Sequence, residues 1–187
     1  MRLVQIIVIL WICCSAFVQP VIYTTNNGIV SFRSEAPFEL INATSKELKG
    51  ALDLSKNNFA FRIRIRSFEG FNSPLQKEHF NENYMESEKF PEAVFNGKII
   101  ETIDFSKKGK YTIRAKGKLT IHGVEQERII KSDVEVTDKG IRISSVFSVL
   151  LSDHNIPIPR IVKEKLAERV FRVRRWKVFW CFFFLLL

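Results

Sequence analysis

Apolar and polar residues alternate along much of the chain. In Phe59–Arg66 the odd positions are apolar, and three of the four even positions are arginine. The same alternation runs through Tyr111–His122, where every even position is polar, and through Ile141–Leu151. Ile130, Val134 and Val136 form a shorter version. A period of two with one polar face is typical of antiparallel strands that bury one side, so an all-β fold is predicted.

Short turn motifs separate these runs at the spacing of β-hairpins. They combine Asn, Asp, Lys or His with Gly or Asn, which tolerate the backbone conformations of tight turns. The motifs are Asn26-Asn27-Gly28, Lys56-Asn57-Asn58, Lys107-Lys108-Gly109, His122-Gly123 and Asp138-Lys139-Gly140. Because a series of hairpins must hide its edge strands, the sheet is expected to close into a barrel or to pair into a sandwich.

One segment breaks the alternation and is predicted to be helical. Ser73 is a favourable N-cap, Pro74 suits the first helical position, and Gln76 lies three residues after the cap. Pro91 follows soon after and cannot continue a helix. The residues expected to share one face of this helix are Leu75, His79, Phe80 and Tyr84.

The N-terminus has the form of an export signal. Arg2 precedes an apolar run, Leu3–Ile12, and Cys14-Ser15-Ala16 places small residues where a cleavage after Ala16 requires them. We therefore predict a signal peptide over residues 1–16 and a periplasmic or secreted protein. A lipid anchor on Cys13 is less favoured, because Ile12 is larger than the residue such processing prefers. The apolar run is also short for a permanent transmembrane helix.

The net charge of +9 is concentrated at the two ends of the chain. Residues 17–159 carry 20 basic and 18 acidic side chains, whereas residues 160–187 carry 8 basic and 2 acidic ones. A protein that binds nucleic acid would be expected to carry its basic surface on the folded domain. No nucleic-acid partner is predicted.

The last seventeen residues, 171–187, form an atypical basic and aromatic tail. Arginines and a lysine up to Lys177 precede an unbroken apolar run, Val178–Leu187. Ten residues are too few to span a bilayer as a helix, but such a tail can lie in a membrane interface. The alternative is a tail read through, or shifted in frame, beyond the true end of the domain.

No residues combine into a recognisable catalytic or metal site. His79, His122 and His154 are far apart in sequence, and only Cys181 follows the predicted cleavage site. His79 with Glu78 and Glu82 is read as ordinary helix surface, not as an acid/base pair. No phosphate-binding loop, dinucleotide motif or nucleophile elbow occurs. The protein is therefore predicted not to be an enzyme, and no metal or cofactor is expected.

Three segments in order resemble one protein family. Phe80–Phe95 is similar to the region that follows the helix in the YceI-like family, and Gly117–Val124 matches its glycine-leucine-threonine hairpin. Phe147–Pro159 resembles its penultimate strand and the aspartate-led exit, where Asp153 is expected to cap a turn. The similarity covers residues 20–167, which places the domain at 17–170. The tail departs from the last strand of the family, which alternates apolar and polar residues.

The resemblance implies a periplasmic protein with a closed, lipocalin-like antiparallel barrel of about eight strands. In this family an elongated pore holds an isoprenoid or a similar long amphiphile, and the helical insertion is expected near one mouth as a lid or a static plug. The residues that the resemblance would place along the pore are Phe61, Ile63, Ile65, Phe95, Ile113, Phe147 and Val149. The alternatives are a filled barrel with a structural or interaction role and, less favoured, an enzyme acting on such a ligand.

Overall fold

A computed structural model describes residues 22–35 and 40–156. Within these residues seven antiparallel strands form one sheet in sequence order, so each strand pairs with the next. The strands are β1 (Ile22–Glu35), β2 (Leu40–Asp53), β3 (Asn58–Arg64), β4 (Glu92–Ile99), β5 (Gly109–Ile121), β6 (Val124–Thr137) and β7 (Gly140–Ser145). The all-β prediction is confirmed, with one short α-helix, α1 (Pro74–His79).

The predicted inner and outer faces agree with the burial of the side chains. On β3, Phe59, Phe61 and Ile63 are buried, whereas Arg62 and Arg64 are exposed. The odd positions of β5 are likewise the buried ones over most of its length. Alternation predicts this correctly because successive side chains of a strand point to opposite faces of the sheet.

The sheet is strongly curled, so that its first and last strands, β1 and β7, border the same interior. Tyr23 of β1 and Ile141 of β7 line the same small internal space. A closed barrel of about eight strands is not what the described residues form. They contain seven strands, and no ladder among them joins β1 to β7. The fold is thus a curled half-barrel, and among the described residues no helix is long and apolar enough to cross a bilayer.

Two local expectations were wrong. Asn26–Gly28 is not a hairpin turn, because β1 continues through it with a shift in register. Gly28 is needed there for close approach, since a Cβ on it would lie 2.8 Å from Leu48 Cδ2. The alternating run from Ile141 to Leu151 is also not one strand. It leaves the sheet after Ser145, although Val149 and Leu151 are still buried.

A long connection between β3 and β4, residues 65–91, lies across one end of the interior and is called the covering segment below. It consists of a 3₁₀ turn (Ile65–Ser67), α1 and a π-helical turn (Phe80–Tyr84). Helix α1 begins as its sequence predicts, since the Gln76 N–H donates to Ser73 Oγ at 3.1 Å. The Ile65 N–H donates to the Pro91 carbonyl at 2.8 Å, which closes the base of the segment.

Candidate functional site: an apolar cavity under an aromatic cover

A cavity of about 80 Å³ lies at the end of the interior that the covering segment crosses. It is several times larger than the space one water molecule needs. Residues of β1 to β5, the covering segment and the chain after β7 line it: Val30, Phe32, Leu48, Phe61, Arg62, Ile63, Ile65, Phe68, Phe80, Met85, Ala93, Val94, Phe95, Leu119, Ile121, Phe147 and Val149. Arg62 is the only charged residue among them, and its guanidinium points outward to Glu92, 3.7 Å away. The cavity therefore offers an almost purely apolar surface.

Six of the seven residues expected to line a pore border this cavity: Phe61, Ile63, Ile65, Phe95, Phe147 and Val149. Ile113 lies instead on a second, smaller cavity of about 30 Å³ farther along the interior. The alternation explains the location of all seven residues, since each side chain faces inward from its strand or from a segment that adjoins a strand. That they contact a ligand stays a prediction.

Four phenylalanine rings form the cover of the cavity. Phe32 on β1 stacks on Phe80 with 5.2 Å between ring centroids, and the Phe68 ring lies edge-on to Phe32 at 5.3 Å. Phe71 packs on Phe80 at 5.1 Å. The covering segment is thus held over the cavity mainly by aromatic contacts.

The residues proposed for a lid do not share one environment. Phe80 is buried and Tyr84 is half-buried, but Leu75 is 57% exposed and His79 is also exposed. The expected common face is interrupted because α1 has only six residues and is followed by a π-helical turn, which changes the angular spacing of the side chains. Glu78 and Glu82 are exposed as well, in keeping with the interpretation of His79 as helix surface.

A buried polar network joins the end of the covering segment to the hairpin between β5 and β6. His122 Nε2 lies 2.7 Å from Glu86 Oε2, and His122 Nδ1 lies 3.3 Å from the His154 carbonyl oxygen. The Phe90 ring packs edge-on against His122 at 4.5 Å. His122 and Gly123 both have positive φ angles, as a two-residue hairpin turn requires. The network anchors the segment at a second point, away from the aromatic cover.

His154 is fully buried beside this network. Its Nδ1 donates to the Val124 carbonyl oxygen at 3.0 Å, and its Nε2 has no hydrogen-bond partner among the described residues. Burial lowers the pKa of His154 below its ordinary value of 6.5, since the charged ring would lose its hydration. Asp153 does not serve chiefly as a turn cap: its carboxylate pairs with Arg128, and its carbonyl accepts from Gln126. Both histidines serve the packing of this end.

Phe32 and Leu48 line the cavity but were not among the residues predicted to border it. Phe32 belongs to an alternating run that resembles those of the other strands. Its buried positions are Val30, Phe32 and Ser34, so this alternation could have predicted that Phe32 faces inward. Phe68 lies in the irregular covering segment, so no periodicity identifies it. Within the described residues no group of His, Cys, Asp and Glu is arranged to hold a metal ion.

Two solved structures share this architecture. One is a polyisoprenoid binding domain from Saccharophagus degradans implicated in plant cell wall breakdown, with a TM-score of 0.67 and 11% identity; the alignment covers 86% of this chain and 99% of that one. The other is BcnA from Burkholderia cenocepacia, with a TM-score of 0.66 and 16% identity over 80% of this chain and 94% of that one. At such identities the likeness concerns the fold. No curated protein sequence matches the chain.

A family model decides the membership that the sequence motifs suggested. The model for the YceI-like domain matches residues 25–172, which is most of the chain and includes β2 to β7, the covering segment and all but the first three residues of β1. The chain belongs to the family of YceI-like domains.

Proposed function

We propose that this protein is an exported binding protein that holds a long isoprenoid or a similar amphiphilic lipid in the apolar interior of its curled sheet. The observation that carries the proposal is the 80 Å³ apolar cavity beneath the aromatic cover. The polyisoprenoid binding domain of Saccharophagus degradans, which has the same fold, supports this class of ligand. Burying one five-carbon isoprene unit contributes about 2–3 kcal/mol, so a few units give tight binding without any charged contact.

The cavity must enlarge before a long ligand enters it. Pockets for drug-sized ligands commonly occupy about 300–1,000 Å³, several times the free space beneath the cover. The strands are held by continuous hydrogen-bonded ladders, whereas the covering segment is held by aromatic packing, its closed base, its polar anchors and one isolated bridge. Displacement of the covering segment is therefore the least costly way to make room. In the proposal this segment acts as a lid.

Binding is tested by filling the cavity with one side chain. Ala93 lines the cavity, and its Ala93→Phe variant should weaken binding of a fluorescent prenyl probe at least tenfold. Ala60 lies on the exposed face of the adjacent strand, and Ala60→Phe is the matched control that should bind as the wild type does. Native mass spectrometry of gently purified protein should also show a lipid-sized adduct. Equal probe affinity in both variants and no adduct would contradict the proposal.

The lid is tested with a cross-link at its only β-bridge to the sheet among the described residues. Thr44 and Glu69 exchange two backbone hydrogen bonds, of 2.8 and 3.0 Å, so their Cα atoms are placed as a disulfide requires. A Thr44→Cys/Glu69→Cys variant, with the natural cysteines replaced by serine, should exchange the probe more slowly when oxidised than when reduced. Identical exchange rates in the two states would identify the segment as a static plug.

Export is tested on the N-terminus of the protein recovered from its native host. Cleavage after Ala16 predicts that the mature chain begins at Phe17. Peptide mapping of the periplasmic and extracellular fractions checks this. Intact protein that begins at Met1 in the cytoplasmic fraction would be the contrary result. The predicted interfacial role of residues 171–187 lies outside the described residues.

A further inference from the structure

Three neighbouring cavities lie inside the curled sheet. The first, of about 80 Å³, lies under the covering segment; the second and third, of about 30 and 10 Å³, lie toward the opposite end. The Phe61 side chain borders all three, and Phe95 and Phe147 border the first two. Phe61 is thus the side chain at which the three spaces meet.

The sequence of the neighbouring strand holds the Phe61 ring in this position. Gly50 pairs with Phe61 across β2 and β3, and a Cβ on Gly50 would lie only 2.3 Å from Phe61 Cδ1. The ring therefore occupies the space that any larger residue at position 50 would need. The Phe59 ring lies 5.8 Å from the Phe61 ring, and Phe59 in turn contacts Phe95 at 4.9 Å. The Phe61 ring, called the Phe61 partition below, therefore has little room to turn.

The interior beyond this partition is also less favourable to an apolar chain. Ser132 and Ser145 line the second cavity and are both buried, with 2.6 Å between their hydroxyl oxygens. An apolar chain that reached them would gain less from burial than one that stays among the side chains of the first cavity. The change in the lining coincides with the position of the Phe61 partition.

We infer that Phe61 sets the length of the apolar chain that the protein accepts. The inference rests on the proposed function and adds a specificity to it. The apolar chain of the ligand fills the space under the covering segment and ends against the Phe61 ring, so further isoprene units stay outside the interior. Removing the ring joins the first cavity to the second and third, and the accepted chain lengthens.

The experiment measures the affinities of prenyl alcohols with two to eight isoprene units. Wild-type affinity should rise with each unit and then stop rising at a particular length. In Phe61→Ala that length should increase by at least one unit, and the longest accepted alcohol should bind at least about tenfold tighter than it binds to the wild type. Phe61→Leu, which keeps more of the apolar volume, should lengthen the limit less.

Val134→Ala is the matched control. Val134 is a fully buried residue of β6 that borders none of these three cavities, so its truncation destabilises the core without altering the partition. Its length limit should equal that of the wild type. Circular dichroism establishes which variants fold. If Phe61→Ala does not fold, the length limit of Phe61→Leu is compared with that of the wild type instead.

The outcomes separate this inference from the proposed function. A wild-type protein that binds none of the alcohols overturns the proposed function, and the inference with it. A wild type that binds them, together with a length limit unchanged in every folded Phe61 variant, overturns the inference alone. A limit that lengthens equally in Val134→Ala also overturns it, because general loosening of the core would then explain the effect.

Discussion

The two ends of the curled sheet are built from the same alternating strands but differ in what covers them. At the covered end, residues 65–91 place three phenylalanine rings beside Phe32 of β1 over a cavity of about 80 Å³, and they attach through a histidine network. At the opposite end, tight turns such as Asp138–Lys139 connect the strands, and the remaining spaces are about 30 and 10 Å³. The difference shows that the connections between strands, more than the strands themselves, decide where this interior has room.

The largest expected effect is that of a charge placed inside either end. Ile143→Arg at the narrow end should prevent folding, because an unpaired buried charge costs several kcal/mol and the cavities that Ile143 borders, of about 30 and 10 Å³, are too small for an arginine side chain. Ile63→Arg should lose somewhat less stability, because the larger cavity lets the side chain rearrange. Arg64→Ala, on the exposed face of the same strand, should leave stability nearly unchanged, because the ion pair with Glu47 is exposed to solvent.

Chemical denaturation of the three variants provides the comparison. If Ile63→Arg proved more damaging than Ile143→Arg, the idea that the covered end has more room would be wrong. If Arg64→Ala proved as damaging as Ile63→Arg, the inner and outer faces of β3 would be exchanged.

A smaller effect is expected from weakening the cover. Phe80→Ala removes a buried ring that contacts Phe32 and Phe71, and it should cost about 3 kcal/mol of unfolding free energy. Leu75→Ala on the exposed side of α1 should change stability by less than about 0.5 kcal/mol. Urea unfolding and the rate of probe release measure the two consequences. Equal stabilities of the two variants would show that the aromatic cover does not hold the segment.

The smallest expected effect is a pH dependence confined to the covered end. His154 has a lower pKa in the folded protein than in the unfolded chain, so the unfolded chain binds more protons near and below pH 6.5. Its contribution to stability is therefore complete above pH 6.5 and is lost as the pH falls from 6.5 toward the folded pKa. The buried polar pair toward the narrow end consists of Ser132 and Ser145, whose hydroxyl groups do not titrate in this range.

Melting temperatures of the wild type and of His154→Gln between pH 8 and pH 5 test this. Over that interval the wild type should lose more stability than the variant does. The exposed carboxylates Asp53, Glu101 and Asp104 have lowered pKa values and titrate at more acidic pH, so they contribute little above pH 5. Parallel curves for the two proteins would show that burial of His154 is not the source of the dependence.

The features of the fold and the site that the sequence predicted are those that local geometry decides. Whether Phe61, Ile63 or Phe95 faces inward depends only on the period of two along its own strand, so alternation is enough to place it. The start of α1 was predictable for the same reason, since Ser73, Pro74 and Gln76 act within a single turn. Membership of the YceI-like family was likewise suggested by short motifs in register.

The sequence by itself determined which side chains are buried on each strand and where most of the hairpins turn. Tertiary structure decided the rest, because it depends on contacts between distant residues. Asn26–Gly28 is a bulge and not a turn because Leu48 packs against Gly28 from the neighbouring strand. Ile113 borders the second cavity and not the one under the covering segment, because the curl of the sheet, not the pattern along β5, sets its depth. The division of the interior at Phe61 depends on its pairing with Gly50, eleven residues earlier, which no local periodicity encodes.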